Sequence, residues 1–225
     1  MIIITGASKG IGKYLFERFK KEGQAVIGTY NSSNKSNDDN MHKLNITDES
    51  EVIAFFDKIS AQLKKNVIIN CAGINYTALA HKSNIVEWAN VVNVNLVGTF
   101  NIIHHILPFM REEGYGRIIN LSSVVARLSI PGTSAYAASK SGLWGLSRSI
   151  ATENAKKGIT INTLNLGYFN IGMIAEVSET FKVEIKNKIP MGDFGKPENI
   201  YNCIQFLLNS DYVTGSEIDI NGGII

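Results

Sequence analysis

Ile2-Ile3-Ile4-Thr5-Gly6-Ala7-Ser8-Lys9-Gly10-Ile11-Gly12, at the start of the chain, is the stretch on which the reading of the fold turns. Three β-branched apolar residues and a threonine read as a strand, and the periodic segment Gly12–Glu22 behind the glycines reads as a helix. A strand that runs through a glycine turn into a helix leaves free N–H groups and the positive end of a helix dipole at the turn. Glycine lets that turn be tight and lets a bound group come close to the backbone. The combination suits the diphosphate of a dinucleotide, with Gly6, Ser8, Lys9, Gly10, Ile11 and Gly12 around it.

Beyond this loop, short apolar runs alternate with longer helical patterns. Strands are expected at Ala25–Tyr30, Val67–Asn70, Arg117–Ser122, Thr160–Asn165 and Glu217–Ile220. Helices are expected at Ile46–Leu63, entered through Thr47-Asp48, at Val86–Glu113 with Pro108 bending or ending part of it, at Ala135–Lys157 closed by Gly158, and at Pro197–Leu208. Alternating strands and helices imply βαβ units and a parallel sheet, and runs such as Val67-Ile68-Ile69 suit a sheet covered on both faces. The polar stretch Asn31–Asn40 stands where a helix is common, so that helix is expected to be short or missing. The weakly helical stretch from Tyr168 to Ile189, with Gly172 inside it, reads as a mobile insertion over the site. The chain, residues 1–225, is expected to be one domain.

Composition removes several classes of function. The net charge of +2, without a long block of like charge, gives no support for a nucleic-acid or membrane-surface partner. Neither the two cysteines, Cys71 and Cys203, nor the four histidines fall in a metal-ligand spacing, and no metal is expected. The first residues read as a strand rather than a cleavable leader, and no apolar run approaches the roughly 20 residues that span a bilayer. The expected location is the cytoplasm.

Further motifs follow in order. They are Asn70-Cys71-Ala72-Gly73, Val94-Asn95-Leu96-Val97-Gly98, Ser123 placed 13 positions before Tyr136, Tyr136-Ala137-Ala138-Ser139-Lys140, Gly195-Lys196-Pro197-Glu198 and Asp219-Ile220-Asn221-Gly222-Gly223. Together with the Gly-x-x-x-Gly-x-Gly loop, this series resembles the short-chain dehydrogenase/reductase family over nearly the whole chain, and most closely its 3-oxoacyl-acyl-carrier-protein reductases. The resemblance implies one Rossmann-type doubly wound α/β domain, a seven-stranded parallel sheet of order 3-2-1-4-5-6-7 with helices on both faces, and a homo-oligomer, dimer or tetramer, paired through its long helices.

The chemistry can be argued from the residues themselves. Tyr136 and Lys140 are four apart at the start of a helix and share a face. A carbonyl that accepts a hydride becomes an alkoxide and needs a proton, which a tyrosine can supply. An ammonium about 5 Å away, at an effective dielectric of about 20, favours tyrosinate by roughly 3 kcal/mol, which is about two pKa units. Tyr136 is therefore expected near working pH. Lys140 could also hold the ribose hydroxyls. Ser123 ends a strand and could hydrogen-bond the substrate oxygen; alternation sends Ser122 to the opposite face. By resemblance, Asn95 holds a water that relays protons to Lys140, although a buried amide serving the backbone is a rival reading.

The cofactor expected is NADP(H), with a small carbonyl or alcohol as substrate. The end of the second strand, Thr29-Tyr30-Asn31-Ser32-Ser33, carries no acid to repel a 2′-phosphate, Asn31 and Ser32 can donate to one, and Lys9 adds charge. By resemblance, Asn45 and Ile46 flank the adenine, and Asn70, Ala72 and Gly73 line the middle of the cofactor. Gly167, Phe169 and Ile171 lie in the segment that holds the carboxamide. That segment departs from the family, with Leu166 for a proline and Ile171 for a threonine, which leaves backbone groups or Asn170 to do the holding. Of two basic places that the carrier-protein reductases use, Lys157 fills one and Gly114 stands at the other. The substrate pocket is expected between the 168–189 segment, with Phe169, Met173 and Ile174, and the Val124–Ser134 loop with Leu128. An NAD-dependent alcohol dehydrogenase of the same family and a non-enzymatic nucleotide sensor or scaffold are the alternatives.

Overall fold

The strand segments read from the sequence form one parallel sheet. The computed structural model describes residues 1–32, 38–172, 174 and 178–225. Its strands are β1 (Ile2–Thr5), β2 (Val26–Tyr30), β3 (Met41–Lys43), β4 (Val67–Asn70), β5 (Gly116–Ser123), β6 (Ile159–Leu166) and β7 (Glu217–Ile220), in the order β3-β2-β1-β4-β5-β6-β7. The helices are α1 (Gly10–Lys21), α2 (Glu49–Ile59), α3 (Ile85–Val92), α4 (Thr99–Glu113), α5 (Ser134–Asn154), α6 (Glu179–Lys188) and α7 (Pro197–Leu208). Ser33 and Met173 lie outside the described residues.

The alternation of side chains splits the core in two. Ile2, Ile4, Val67, Ile69, Ile119, Leu121, Leu164 and Leu166 pack with α1 and α7 through Leu15, Phe16, Phe19, Ile200 and Ile204. Ile3, Ile68, Ile118, Ile159 and Ile161 pack with α2, α4 and α5 through Phe55, Phe56, Ile102, Ile106, Met110 and Ile150. Both faces are covered, which explains why β1 and β4 carry apolar residues on both sides. Strand order reverses between β1 and β4, so the loops leaving those two strands diverge and open a crevice at the C-terminal edge of the sheet.

Three elements differ from the sequence expectation. β3 was not placed by it, being three residues of mixed polarity at the edge of the sheet. The helix expected from Ile46 starts at Glu49, because Asp48 caps it by accepting a hydrogen bond from the Glu51 N–H at 3.1 Å. The helix expected over Val86–Glu113 is interrupted at Asn93–Gly98, where a turn of π-helix joins α3 to α4, and it runs through Pro108 without ending. Among the described residues no helix stands between β2 and β3, and none is long and apolar enough to cross a membrane.

Candidate active site

The glycine loop and the end of β4 build one wall of the crevice. Gly6 and Gly10 have φ of +67° and +56°, which a side chain would strain. A Cβ on Gly6 would come within 2.7 Å of the Ala72 Cα, and one on Gly12 within 2.3 Å of the Gly6 carbonyl oxygen. Thr5 Oγ1 accepts hydrogen bonds from the N–H groups of Cys71 and Ala72, each at 3.2 Å, and so clamps the two loops together. α1 begins at Gly10 with no side-chain cap and no acid in its first turn, and Ser8, Lys9 and Ile11 flank that turn. With no acid in the first turn to compete, its free N–H groups and the positive end of its dipole fit a diphosphate.

The remaining nucleotide-side candidates fall into two groups. Asn31 and Ser32 are exposed just beyond β2. Asn45 is occupied locally: its Oδ1 accepts hydrogen bonds from the Thr47 hydroxyl at 2.8 Å and the Thr47 N–H at 3.2 Å. Ile46 is buried beneath Gly98 of the π-turn, and its carbonyl accepts a hydrogen bond from Asn101 Nδ2 at 2.9 Å. Asn70 donates from Nδ2 to Asn120 Oδ1 at 2.8 Å inside the sheet, starting a buried polar ladder that continues to Ser147 and Thr163.

The opposite wall carries Ser123, Tyr136 and Lys140. β5 delivers Ser123 to its last position, where its Oγ accepts a hydrogen bond from the Val125 N–H at 3.2 Å and stands close enough to the Tyr136 hydroxyl to favour its ionised form. Ser122 faces the other way, and its hydroxyl donates to the Lys140 carbonyl oxygen at 3.0 Å, so the strand itself separates the two serines. Lys140 is buried, its Nζ donating to the Leu121 carbonyl oxygen at 2.7 Å and lying 5.6 Å from the centroid of the Tyr136 ring. A Cβ on Gly73 would stand 3.6 Å from Lys140 Nζ, so Gly73 leaves the approach to the ammonium open.

The electrostatics correct the sequence expectation for Tyr136. Burial pushes the phenol up to about 12, and the Ser123 hydroxyl pulls it only part of the way back. Burial also lowers Lys140 to about 8, which weakens the cation that was expected to bring the phenol toward neutral pH. Tyr136 therefore keeps its proton at physiological pH. Beside Lys140, desolvation pushes the Cys71 thiol up to about 12, so it stays a neutral thiol.

Asn95 is fully buried in the π-turn, which aims its amide at the loop after β4. Its Oδ1 accepts a hydrogen bond from the Ile74 N–H at 2.8 Å, and its Nδ2 donates to the Ile74 carbonyl oxygen at 2.9 Å and to Ser139 Oγ at 3.0 Å. Both amide protons are thus used, and the Asn95 carbonyl oxygen accepts a hydrogen bond from the Thr99 hydroxyl at 2.9 Å. Ser139 in turn donates to the Tyr136 carbonyl oxygen at 2.8 Å. The sequence reading gave no role to Thr5, Ser139 and Asn101, whose partners lie far away in the chain: Thr5 and Ser139 stand inside motifs without being their signature residues, and Asn101 lies outside any motif.

The last segment lies above the glycine loop. Gly167 packs against Asn221, where a Cβ would come within 2.7 Å of the Asn221 Cα. Phe169 forms a parallel bridge with Gly195 and buries its ring beneath it, and its carbonyl oxygen accepts a hydrogen bond from the Ile171 N–H at 2.7 Å. Ile171 packs against the core beside α1, and Gly172 lies over Gly10, to which a Cβ on Gly10 would approach within 3.2 Å. Ile174 packs with Ile185 and Ile189 of the α6 region against Tyr168.

Comparison with known proteins agrees with this geometry. The family described as Enoyl-(Acyl carrier protein) reductase matches residues 6–225. The chain is 35% identical to the 3-oxoacyl-[acyl-carrier-protein] reductase FabG of Thermotoga maritima, over 99% of this chain and 96% of that protein. It is 33% identical to the acetoacetyl-CoA reductase of Rhizobium meliloti, over 98% and 96%. A crystal structure of a protein provisionally described as a gluconate dehydrogenase from Agrobacterium tumefaciens superposes with a TM-score of 0.90 at 25% identity, covering 100% of this chain and 95% of that one. With its sheet order, crevice and ordered motifs, the chain belongs to the short-chain dehydrogenase/reductase family of oxidoreductases.

Proposed function

We propose that this protein is an NADPH-dependent carbonyl reductase that reduces a ketone, a 3-oxoacyl thioester in particular, with Tyr136 as proton donor. One observation carries the reading: Ser123, at the end of β5, stands beside Tyr136, whose ring centroid lies 5.6 Å from the buried Lys140 ammonium, in a crevice whose other wall is an anion-ready glycine loop. The bound nicotinamide would supply the hydride. The chain's own groups do the rest. The Ser123 hydroxyl faces the position of the substrate oxygen and stabilises its developing charge. Tyr136, protonated because its phenol lies near 12, gives up its proton to an alkoxide, which is a far stronger base. That protonation state favours reduction, since alcohol oxidation needs the phenolate. Lys140, lowered to about 8, is still largely an ammonium at pH 7 and can hold ribose hydroxyls beside Gly73.

Asn95 in this reading is a positioning residue. It fixes the Gly73–Ile74 backbone against α5 through Ser139 rather than serving a water. The preference for NADPH rests on Asn31, Ser32 and Lys9, none of them acidic, around the end of β2 and the start of α1. The 3-oxoacyl thioester rests on the relatives, whose names describe 3-oxoacyl and acetoacetyl reductases. Residues 1–225 act as one domain in the cytoplasm, the described residues of the 168–189 segment cover the substrate, and the chain assembles as a dimer or tetramer.

The test is a fluorescence titration with NADPH and NADH, followed by a ketone screen with wild type and Tyr136→Phe. Tighter NADPH binding is expected, and Tyr136→Phe should bind NADPH like wild type while losing about 10²–10⁴-fold in kcat. Absence of binding to either nucleotide would move the scaffold reading to the front.

A further inference from the structure

The turn that follows Ser123 ends at Arg127, and this side chain is fastened to two other elements, β7 and α5. Arg127 Nη1 donates to Asp219 Oδ2 at 3.0 Å and Nη2 to Glu217 Oε2 at 3.0 Å, both on β7. Its guanidinium lies 5.2 Å from the centroid of the Trp144 ring on α5. Trp144 Nε1 donates to Asn165 Oδ1 on β6 at 2.8 Å, and Asn165 Nδ2 donates to Asp219 Oδ1 at 2.9 Å, which closes a ring of contacts back to Arg127. Arg148 of α5 reinforces it with a 2.9 Å bond to Glu217.

The turn itself is slight. Val124–Ala126 is a single 3-10 turn, in which the Val125 N–H bonds Ser123 Oγ and the Arg127 and Leu128 N–H groups each donate to the Val124 carbonyl oxygen at 2.9 Å. Three residues of 3-10 helix have little cohesion of their own. Beyond Arg127 the chain enters the Leu128–Ser134 stretch, which lines an apolar cleft of about 440 Å³ with Leu79 and Ala137. Arg127 thus sits between the serine and that cleft.

We infer that Arg127 is a positioning residue for Ser123: through Glu217, Asp219 and Trp144 it pins the turn after β5 to the edge of the sheet and so fixes where the Ser123 hydroxyl stands. This rests on the catalytic reading of Ser123. An anchor of networked charges with a stacked ring holds better than a single exposed ion pair. Small misplacements of a catalytic group are costly, since about 1 Å is worth as much as 10²-fold in rate.

The experiment compares wild type, Arg127→Met, Arg127→Lys and Asp219→Asn by hydrogen exchange and by steady-state kinetics. In Arg127→Met, amides of the 123–128 segment should exchange faster while those of β1, α1 and β4 keep their protection. For ketone reduction, kcat should fall about five- to tenfold with an unchanged KM for NADPH, Arg127→Lys should recover part of that loss, and Asp219→Asn should reproduce a smaller version of it. Unchanged exchange in the 123–128 segment would overturn the inference. So would a kcat that falls only with the folded fraction, or a KM for NADPH that rises in step. Should wild type reduce no ketone, the proposed function fails, and the exchange data still decide whether Arg127 holds the turn.

Discussion

At the residue scale, burial decides the chemistry of the site more than charge does. Lys140 is moved from 10.5 to about 8 because its ammonium is desolvated, although Nζ keeps a hydrogen bond to the Leu121 carbonyl oxygen. A lowered lysine penalises the folded state while both states are protonated, which is the case below pH 8. The penalty, about 3 kcal/mol, fades as the folded lysine sheds its proton first, between pH 8 and 10.5. Lys140→Met is therefore expected to unfold at higher urea than wild type at pH 7, by roughly that free energy, with the gap shrinking by pH 10. Equal gaps at the two pH values would show that the ammonium is not desolvated. The window for Tyr136, from 10 to about 12, overlaps it only from pH 10 upward, and Tyr136 is present in both proteins.

What the sequence could show at this scale was the identity of the groups, because Ser123, Tyr136 and Lys140 sit at motif spacings. It could not show their ionisation, which depends on what covers them. A spacing of four residues suggested a lysine that lowers the tyrosine; the structure has a lysine weakened by the same burial that raises the phenol. The role of Asn95 was hidden for a related reason, since its partner Ile74 lies 21 residues away and its partner Ser139 44 away.

At the element scale, the sheet was legible and the breaks in the helices were not. β1 and β4 carry short apolar runs on both faces, and β5 and β6 are buried along most of their length with polar residues interspersed, whereas β3 is three residues long and has no pattern to read. Pro108 drew attention as the expected bend in the long helix, yet α4 passes through it. Its missing N–H leaves the His104 carbonyl without a helical partner, and its ring crowds that carbonyl. Pro108 is exposed, so little packing is lost with the ring. Pro108→Ala should stabilise the protein by about 1 kcal/mol, less than the full interior penalty because the unfolded chain also gains freedom. A shift of the urea midpoint to higher concentration at constant m would register it; a lower midpoint would mean that the proline fits α4 without strain.

At the scale of the whole molecule, the chain leaves apolar surface around the π-turn and the start of α4. Val97 and Phe100 are 51% and 45% exposed, while the rows behind them, Ile102, Ile103 and Ile106, are fully buried. Surface of this kind on a long helix suits burial against a second copy. Light scattering at micromolar concentration should show an oligomer, and the double variant Val97→Asp with Phe100→Asp should lower its mass while leaving the fold intact. A monomeric wild type would dismiss the assembly.

The π-turn at Asn93–Gly98 also makes the helix a matter of phase. A π-turn amounts to one residue more than the α-helical repeat accommodates, and in an α-helix each residue advances the azimuth by about 100°. Deleting one residue from this turn would regularise the helix locally. It would also rotate everything downstream relative to everything upstream, so Ile102, Ile103, Ile106 and Met110 could keep their sockets only if Asn95 turned away from Ile74 and Ser139. The extra residue thus sets the angular offset between the core of the protein and its candidate active site, and a sequence that drifts at every position within the turn can still not change its length.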